Sequence, residues 1–378
     1  MIALTKMIGA LEYAGQPGRE VGVRLDLLRS TGMRYALQRR REEAELAELA
    51  TDSRRSAYSL IWQDAADELG ADLSVLDGDF LEITREGRST RVWRHWVPLD
   101  DVVTLSLALD KLAVHKILSR AGLPVPAHHE FDASNIAGAR SFLEGSPVPC
   151  VVKPVAGASG SGTTTGVRSH EQLVRARLRA ARISRRLMIE HQVEGELYRL
   201  LFCDGELLDS VRRRPPRITG DGQASIRELI AAENASRLDP VRPVSMPILR
   251  VDLDCLFALE AAGLKLRSVL RKGQTIPVKT VVSQNRIEDN ETVRGPIAPQ
   301  LVAEARLAAA QLGLRLAGVD LITSDLGQSL KESGGVLIEV NGTPGLHYHY
   351  QVADEGNATR VAIPILRMLL EEPRRASG

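Results

Sequence analysis

Lys153 stands where an apolar strand runs into glycines. Residues 150–167 read CVVKPVAGASGSGTTTGV, with Val151 and Val152 before the lysine and Gly157, Gly160, Gly162 and Gly166 after it. A lysine supplies a point charge, and glycines, lacking Cβ, let backbone N–H groups approach an anion. Those parts can hold a polyphosphate; a loose hairpin loop takes similar residues. Two better-known phosphate signatures do not fit. A P-loop has its lysine after the glycines, followed by Ser or Thr, and a dinucleotide fingerprint opens a helix directly. Here the lysine comes first, and Thr163, Thr164, Thr165 and Val167 predict a second strand. Strand, Gly/Ser loop and strand predict a flap over phosphates.

A second set lies near the C-terminal end. Residues 316–323 (LAGVDLIT) and 336–340 (VLIEV) read as apolar strands, each interrupted by a carboxylate, Asp320 and Glu339. A buried acid is costly unless it is paired or bound to metal. Glu339 and Asn341 are two apart and face the same way on a strand. Asp320, Glu339 and Asn341 form an all-oxygen set suited to Mg²⁺ or Mn²⁺ rather than zinc. The other reading pairs either acid with an arginine. His347 and His349 have no third soft ligand nearby, which argues against a histidine metal site.

The elements that must position these groups can be read along the chain. Residues 38–50 and 56–69 read as charged and amphipathic helices; 21–28, 73–76, 80–84 and 90–97 read as strands. The spacing predicts a helix over 107–120 carrying Lys111, with Ala121-Gly122 as its stop. Further helices are predicted at 131–143 with its lead-in, 171–181, 253–262 and 299–312, and strands at 187–193, 198–203 and 275–282. Ser225 and Glu228 form a capping box, a structural feature.

Composition bounds the class. The chain has 378 residues with 49 basic and 48 acidic side chains, so no global charge draws it to nucleic acid or membrane. Aromatics at 4% are too few for a base-stacking surface. Cys150, Cys203 and Cys255 are odd in number and far apart, so no disulfide framework is implied. No signal peptide or membrane-spanning run is read, and the expectation is a soluble cytoplasmic protein.

These pieces, in this order, resemble the ATP-grasp superfamily, and within it the ligase domain of cyanophycin synthetases and related amino-acid ligases. The resemblance covers residues 100–370 and rests on ALDKLAVHKILSRAGLPVP at 108–126, the lysine–flap segment, IEHQVEGELYRLLF at 189–202, TGDGQASIRELIAAEN at 219–234, AGVDLIT at 317–323 and EVNGTPG at 339–345. It implies an ATP-grasp fold of two α/β lobes holding ATP, preceded by a small N-terminal α/β domain. The expected division is 1–105, a lid lobe at 106–193 and a metal-bearing lobe at 194–378.

In matching positions Lys111 and Lys153 would hold ATP phosphates under a loop of Gly157, Ser159, Gly160, Ser161 and Gly162. Glu190, Gln192 and Val193 would read adenine, and Glu196 stands one place off the usual ribose carboxylate. Asp320, Glu339 and Asn341 would take magnesium, Gly345 would offer an N–H to the reacting acyl group, and Arg199 and Arg213 match arginines near the reaction centre. The implied activity is ATP-dependent carboxylate–amine ligation through an acyl phosphate, releasing ADP and phosphate. The substrates would be amino acids or small peptides in specialised metabolism, and the chain a stand-alone homo-oligomer. A silent ATP-binding regulatory module and a biotin-dependent-type carboxylase are the alternatives. Residues 283–292 (SQNRIEDNET) depart from the glycine-rich loop of relatives on the acceptor side.

Overall fold

The computed structural model describes residues 33–157, 160–238 and 246–371, with side chains from residue 49 onward. Ser159 and the strand expected at 21–28 lie outside the described residues. Helix α1 (Met33–Leu69) is continuous through both segments predicted as separate helices. Strands β1 (Asp72–Asp77), β2 (Phe80–Arg85) and β3 (Arg88–Trp93) form an antiparallel meander in the order β1-β2-β3. The strand expected to reach residue 97 stops at Trp93 because Arg94 turns left-handed at φ 54°.

Tyr58, Ile61, Trp62 and Ala65 recur at helical spacing and are buried on one face of α1. They pack with Ile83 of β2 and with Ile365, Leu366 and Leu369 of the last helix, Ala362–Glu371.

The helix expected over 107–120 is two: α2 (Val102–Leu109) and α3 (Lys111–Arg120). Asp110 breaks it. Its backbone is extended, and its carboxylate accepts from the N–H groups of Leu112 and Ala113 at 3.1 and 3.0 Å. Capping the next helix outweighs continuing the last one. The break makes Lys111 the first residue of α3, and its N–H donates to the Val155 carbonyl at 3.1 Å.

A four-stranded sheet follows. Strand β4 (His128–Asp132), helix α4 (Ala137–Glu144), strands β5 (Cys150–Pro154) and β6 (Thr164–Val167), helix α5 (His170–Ala180) and strand β7 (Arg186–His191) give the order β4-β7-β5-β6. The segment at 131–143 is thus a strand before its helix. As expected, β5 and β6 pair antiparallel with the glycine-rich loop between them. Cys150, Val152, Leu173, Leu187 and Ile189 belong to the core beneath.

Strands β8 (Glu196–Cys203) and β9 (Glu206–Arg213) open the second large sheet. The chain then leaves it for an inserted unit. That unit has a short pair, β10 (Arg217–Thr219) with β11 (Thr275–Pro277), and helices α6 (Ile226–Arg237) and α7 (Leu253–Ala261) around a core of its own. The capping box of Ser225 and Glu228 starts α6 as predicted. Strand β11 is shorter than expected, since Lys279 turns inward to Asp252 at 2.8 Å. The chain returns through β12 (Asn290–Thr292), helix α8 (Pro299–Gln311), β13 (Leu316–Thr323) and β14 (Val336–Asn341), giving the order β12-β9-β8-β13-β14. Helix α9 (Ala362–Glu371) closes the described chain against α1. One face of this sheet, with Leu200, Phe202, Val319, Leu321 and Val340, is covered by Leu301 and Ala305 of α8 and Leu118 of α3. The other face turns polar where the site forms.

Candidate active site

Register assembles the polar face. Arg199 of β8 lies opposite Asp320 of β13, and Asp320 opposite Glu339 of β14. Gly318 lies opposite Asn341, two residues along, so the three oxygen-bearing residues predicted to form a set are brought together. Asn341 Nδ2 lies 3.4 Å from Asp320 Oδ2.

Asp320 is also held by the arginine that the second reading allowed. Arg199 Nε and Nη2 donate to its two oxygens at 2.7 and 2.6 Å, and both side chains are buried. Burial pushes the guanidinium pKa down, but the Asp320 charge outweighs it and the net shift is upward.

Lysines approach from the other lobe. Lys153 of β5 and Glu190 of β7 form a buried ion pair at 2.6 Å. Lys111 donates from Nζ to the Gly157 carbonyl at 2.6 Å and lies 3.3 Å from Glu339 Oε1. Burial would raise the Glu339 carboxyl; Lys111, Lys153 and Arg199 together lower it below the usual range. Charge from both lobes thus meets at Glu339, and the flap starts at the carbonyl that Lys111 grips.

The flap is seated on the inserted unit. Gly160 and Gly162 take left-handed φ of 63° and 76°, and a Cβ on Gly160 would strike Val281 and Ser283. Ser161, between them, is exposed. Thr165 of β6 donates to Asp254 Oδ1 at 3.1 Å, and Asp254 Oδ2 accepts from the N–H groups of Thr280 and Val281. Arg179 joins the Thr163 carbonyl to Asp252 at 2.7 and 2.6 Å. None of this docking was visible in local sequence.

The hinge predicted to read adenine is partly committed. The Gln192 N–H donates to the Pro149 carbonyl at 2.8 Å, and its side chain accepts from the Gly166 N–H at 2.8 Å. Glu190 Oε2 is buried without a hydrogen-bond partner. Val193 lies just beyond β7, and Glu196 opens β8, exposed, 3.8 Å from Arg214.

Arg213, at the end of β9, is 3% exposed, and its guanidinium carbon lies 3.8 Å from the Tyr348 ring centroid. Its Nε and Nη2 are buried without hydrogen-bond partners. The segment 283–292 is not simply a loop. Asn290 of β12 pairs with Arg213, so this segment forms the edge beside the arginine.

Gly345 lies against His347; a Cβ there would come within 2.9 Å of His347 Nδ1. That nitrogen shares a hydrogen bond with the Tyr58 hydroxyl at 2.8 Å. His349 Nδ1 lies 2.6 Å from Asp209, so the two histidines serve different partners. Among the described residues no group of three or more His, Cys, Asp or Glu side chains could hold an ion by itself, and no helix is long and apolar enough to cross a membrane.

The sequence and the fold have counterparts among known proteins. The cyanophycin synthetase of a Synechocystis species is 33% identical over 277 residues, 71% of this chain and 31% of that protein. The glutathione biosynthesis bifunctional protein of Enterococcus faecalis is 29% identical over 317 residues, 81% of this chain and 40% of that protein. Among solved structures, a bifunctional glutathione synthetase from Pasteurella multocida superposes with a TM-score of 0.50 at 22% identity, over 79% of this chain and 41% of that one. No family model matches. The chain spans about a third of the length of the cyanophycin synthetases it matches.

Proposed function

We propose that this chain, which has the ATP-grasp fold, is an ATP-dependent carboxylate–amine ligase forming an amide or peptide bond through an acyl phosphate. The observation that carries the reading is convergence. Lys111 from one lobe pairs with Glu339 from the other, the charge of Lys153 bears on Glu339 too, Asp320 and Asn341 lie beside it, and Lys111 also binds the Gly157 carbonyl where the glycine flap starts. The matched cyanophycin and glutathione enzymes support it. We assign the N-terminal unit to 1–105, the lid lobe to 106–193 and the metal-bearing lobe to 194–378.

A carboxylate is a poor electrophile. Its oxygen must attack the γ-phosphorus of ATP as the bond to the β-phosphate oxygen breaks and ADP departs, anion against anion, so the protein must supply positive charge. Lys111 and Lys153 would neutralise phosphate oxygens, and Gly157, Gly160 and Gly162 would let flap N–H groups close over them. Arg213, buried with unpartnered donors, would hold the carboxylate and then the acyl phosphate. The Gly345 N–H faces the acyl oxygen in this scheme. The amine then attacks the carbonyl carbon, the C–O bond to phosphate breaks, and phosphate leaves carrying the amine's proton.

The donors of Asp320, Glu339 and Asn341 are all oxygen and lie side by side, which fits Mg²⁺ or Mn²⁺. A divalent ion there would spread charge over the β- and γ-phosphate oxygens. Holding it requires Asp320 to share or release Arg199.

The test is incubation with ATP, Mg²⁺ and amino-acid pools, read by mass spectrometry. ADP, phosphate and a new amide are expected. AMP and pyrophosphate would contradict the acyl-phosphate route, and nucleotide binding with no turnover would favour a silent module. We expect small-molecule substrates and a homo-oligomer, checked by light scattering.

A further inference from the structure

The seam between the N-terminal unit and the second large sheet gathers the guanidiniums of Arg54, Arg199 and Arg213. Arg54 of α1 is half-buried, and its Nε is enclosed without a partner. One turn on, Tyr58 binds His347 and packs its ring 5.7 Å from that of His95. The charges of Arg54, Arg213 and Arg199 all bear on His347, and those of Arg54 and Arg199 on His95. Asp320 gives both its oxygens to Arg199, and the charge of Glu339 bears on Arg199 too; among the described residues no acid forms an ion pair with Arg54 or Arg213. His347 Nε2 and two nitrogens of Arg213 are buried and unpartnered, on side chains 6% and 3% exposed.

Enclosing donors and cations without an anion is unfavourable unless a ligand provides one. An ammonium group would meet repulsion from three guanidiniums. A carboxylate would find a planar fork in each arginine and a donor in the His347 ring. One carboxylate suffices for Arg213, and it is the one under activation. Arg54 stands on α1, whereas the ion set stands on β13 and β14, and it calls for a second.

Resting on the ligase reading above, we propose that Arg54, with Tyr58, His95 and His347, binds a substrate carboxylate other than the one activated. The N-terminal unit then selects acidic or carboxylate-terminated amino acids and peptides. That carboxylate can belong to a dicarboxylic acyl donor or to the α-carboxyl group of the amine acceptor. His347 and Tyr58 act as positioning residues that fix the wall of the pocket.

The experiment has two readouts. Turnover is followed with glutamate against glutamine and aspartate against asparagine as donors, and with amino acids against their amides as acceptors. The expected result is a preference for the member with the extra carboxylate. Arg54→Gln raises KM for that member about tenfold or more, with kcat and the KM for ATP unchanged. Arg54→Lys recovers part of it. Preference among donors points to the dicarboxylic source, and preference among acceptors to the α-carboxylate.

Independently of turnover, the wild-type thermal shift with ATP and Mg²⁺ is compared for the same pairs. A shift favouring the carboxylate member that disappears in Arg54→Gln supports the proposal. Equal shifts within every pair, or an Arg54→Gln variant indistinguishable from wild type, overturn it. A charge-dependent shift with no turnover in any pool would sink the ligase reading and leave this site standing.

Discussion

Asp320 and Arg199 face each other across β13 and β8, and the carboxylate accepts two hydrogen bonds of 2.7 and 2.6 Å from the guanidinium. The same carboxylate is a proposed ion ligand, so it has two cationic claimants. Asp320→Asn removes the charge from both. Arg199 is left buried without its anion, a loss of about 3–5 kcal/mol in stability, and half-maximal turnover needs more Mg²⁺. Denaturant midpoints and a metal titration check the two halves separately. An unchanged titration would remove Asp320 from the ion set.

Lys153→Gln is expected to lower ADP formation by about 10²-fold, the scale seen when one preorganised charge partner is lost. It also strands Glu190, whose partner at 2.6 Å is gone. Adding Glu190→Gln restores stability and leaves activity low. Full activity in either variant would take Lys153 out of the site.

Gly160→Ala places a methyl group against Val281 and Ser283 at a left-handed φ of 63°. The flap then cannot seat on the inserted unit. The expected outcome is a raised KM for ATP with a small change in melting temperature. A KM equal to wild type would show that the flap closes elsewhere.

Ser225→Ala removes the side-chain oxygen that caps α6. Stability falls by about 1 kcal/mol, with kcat unchanged, because α6 lies in the inserted unit away from the lysines. Calorimetry and steady-state kinetics on the same preparation decide it.

Burial, and then Lys153, hold the His115 ring down at about 3; burial, and then Arg54, hold His95 at about 4. In the unfolded chain both take a proton below about pH 6.5. Between those values the unfolded state binds more protons, so stability falls as pH drops from 6.5 toward 4. Each histidine contributes up to about 1.4 kcal/mol per pH unit. Urea midpoints from pH 7.5 to 5 measure the slope, and His115→Gln should flatten it.

Much of the fold was legible where side-chain period and glycine placement agree. The β5–flap–β6 hairpin, the β13 and β14 strands and the α6 cap were readable because each is decided within a few residues. The joined helix at 107–120 was misread because Asp110 looks like an ordinary helical surface acid until its capping bonds are seen. Strand β9 gave little warning, since ELLDSVRR alternates poorly. The Arg199–Asp320 pair and the Tyr58–His347 bond span 121 and 289 residues. No local pattern announces such partners. Arg54, Tyr58 and His95 were missed for the same reason.

Lys111 touches the flap at the Gly157 carbonyl and the opposite lobe at Glu339. A cation settling on Glu339 competes with that ammonium and loosens a tie that spans the cleft. If Glu339 holds an ion as proposed, its occupancy and the posture of the lid are thermodynamically linked. By reciprocity, whatever factor the ion adds to nucleotide affinity, the nucleotide must add to ion affinity.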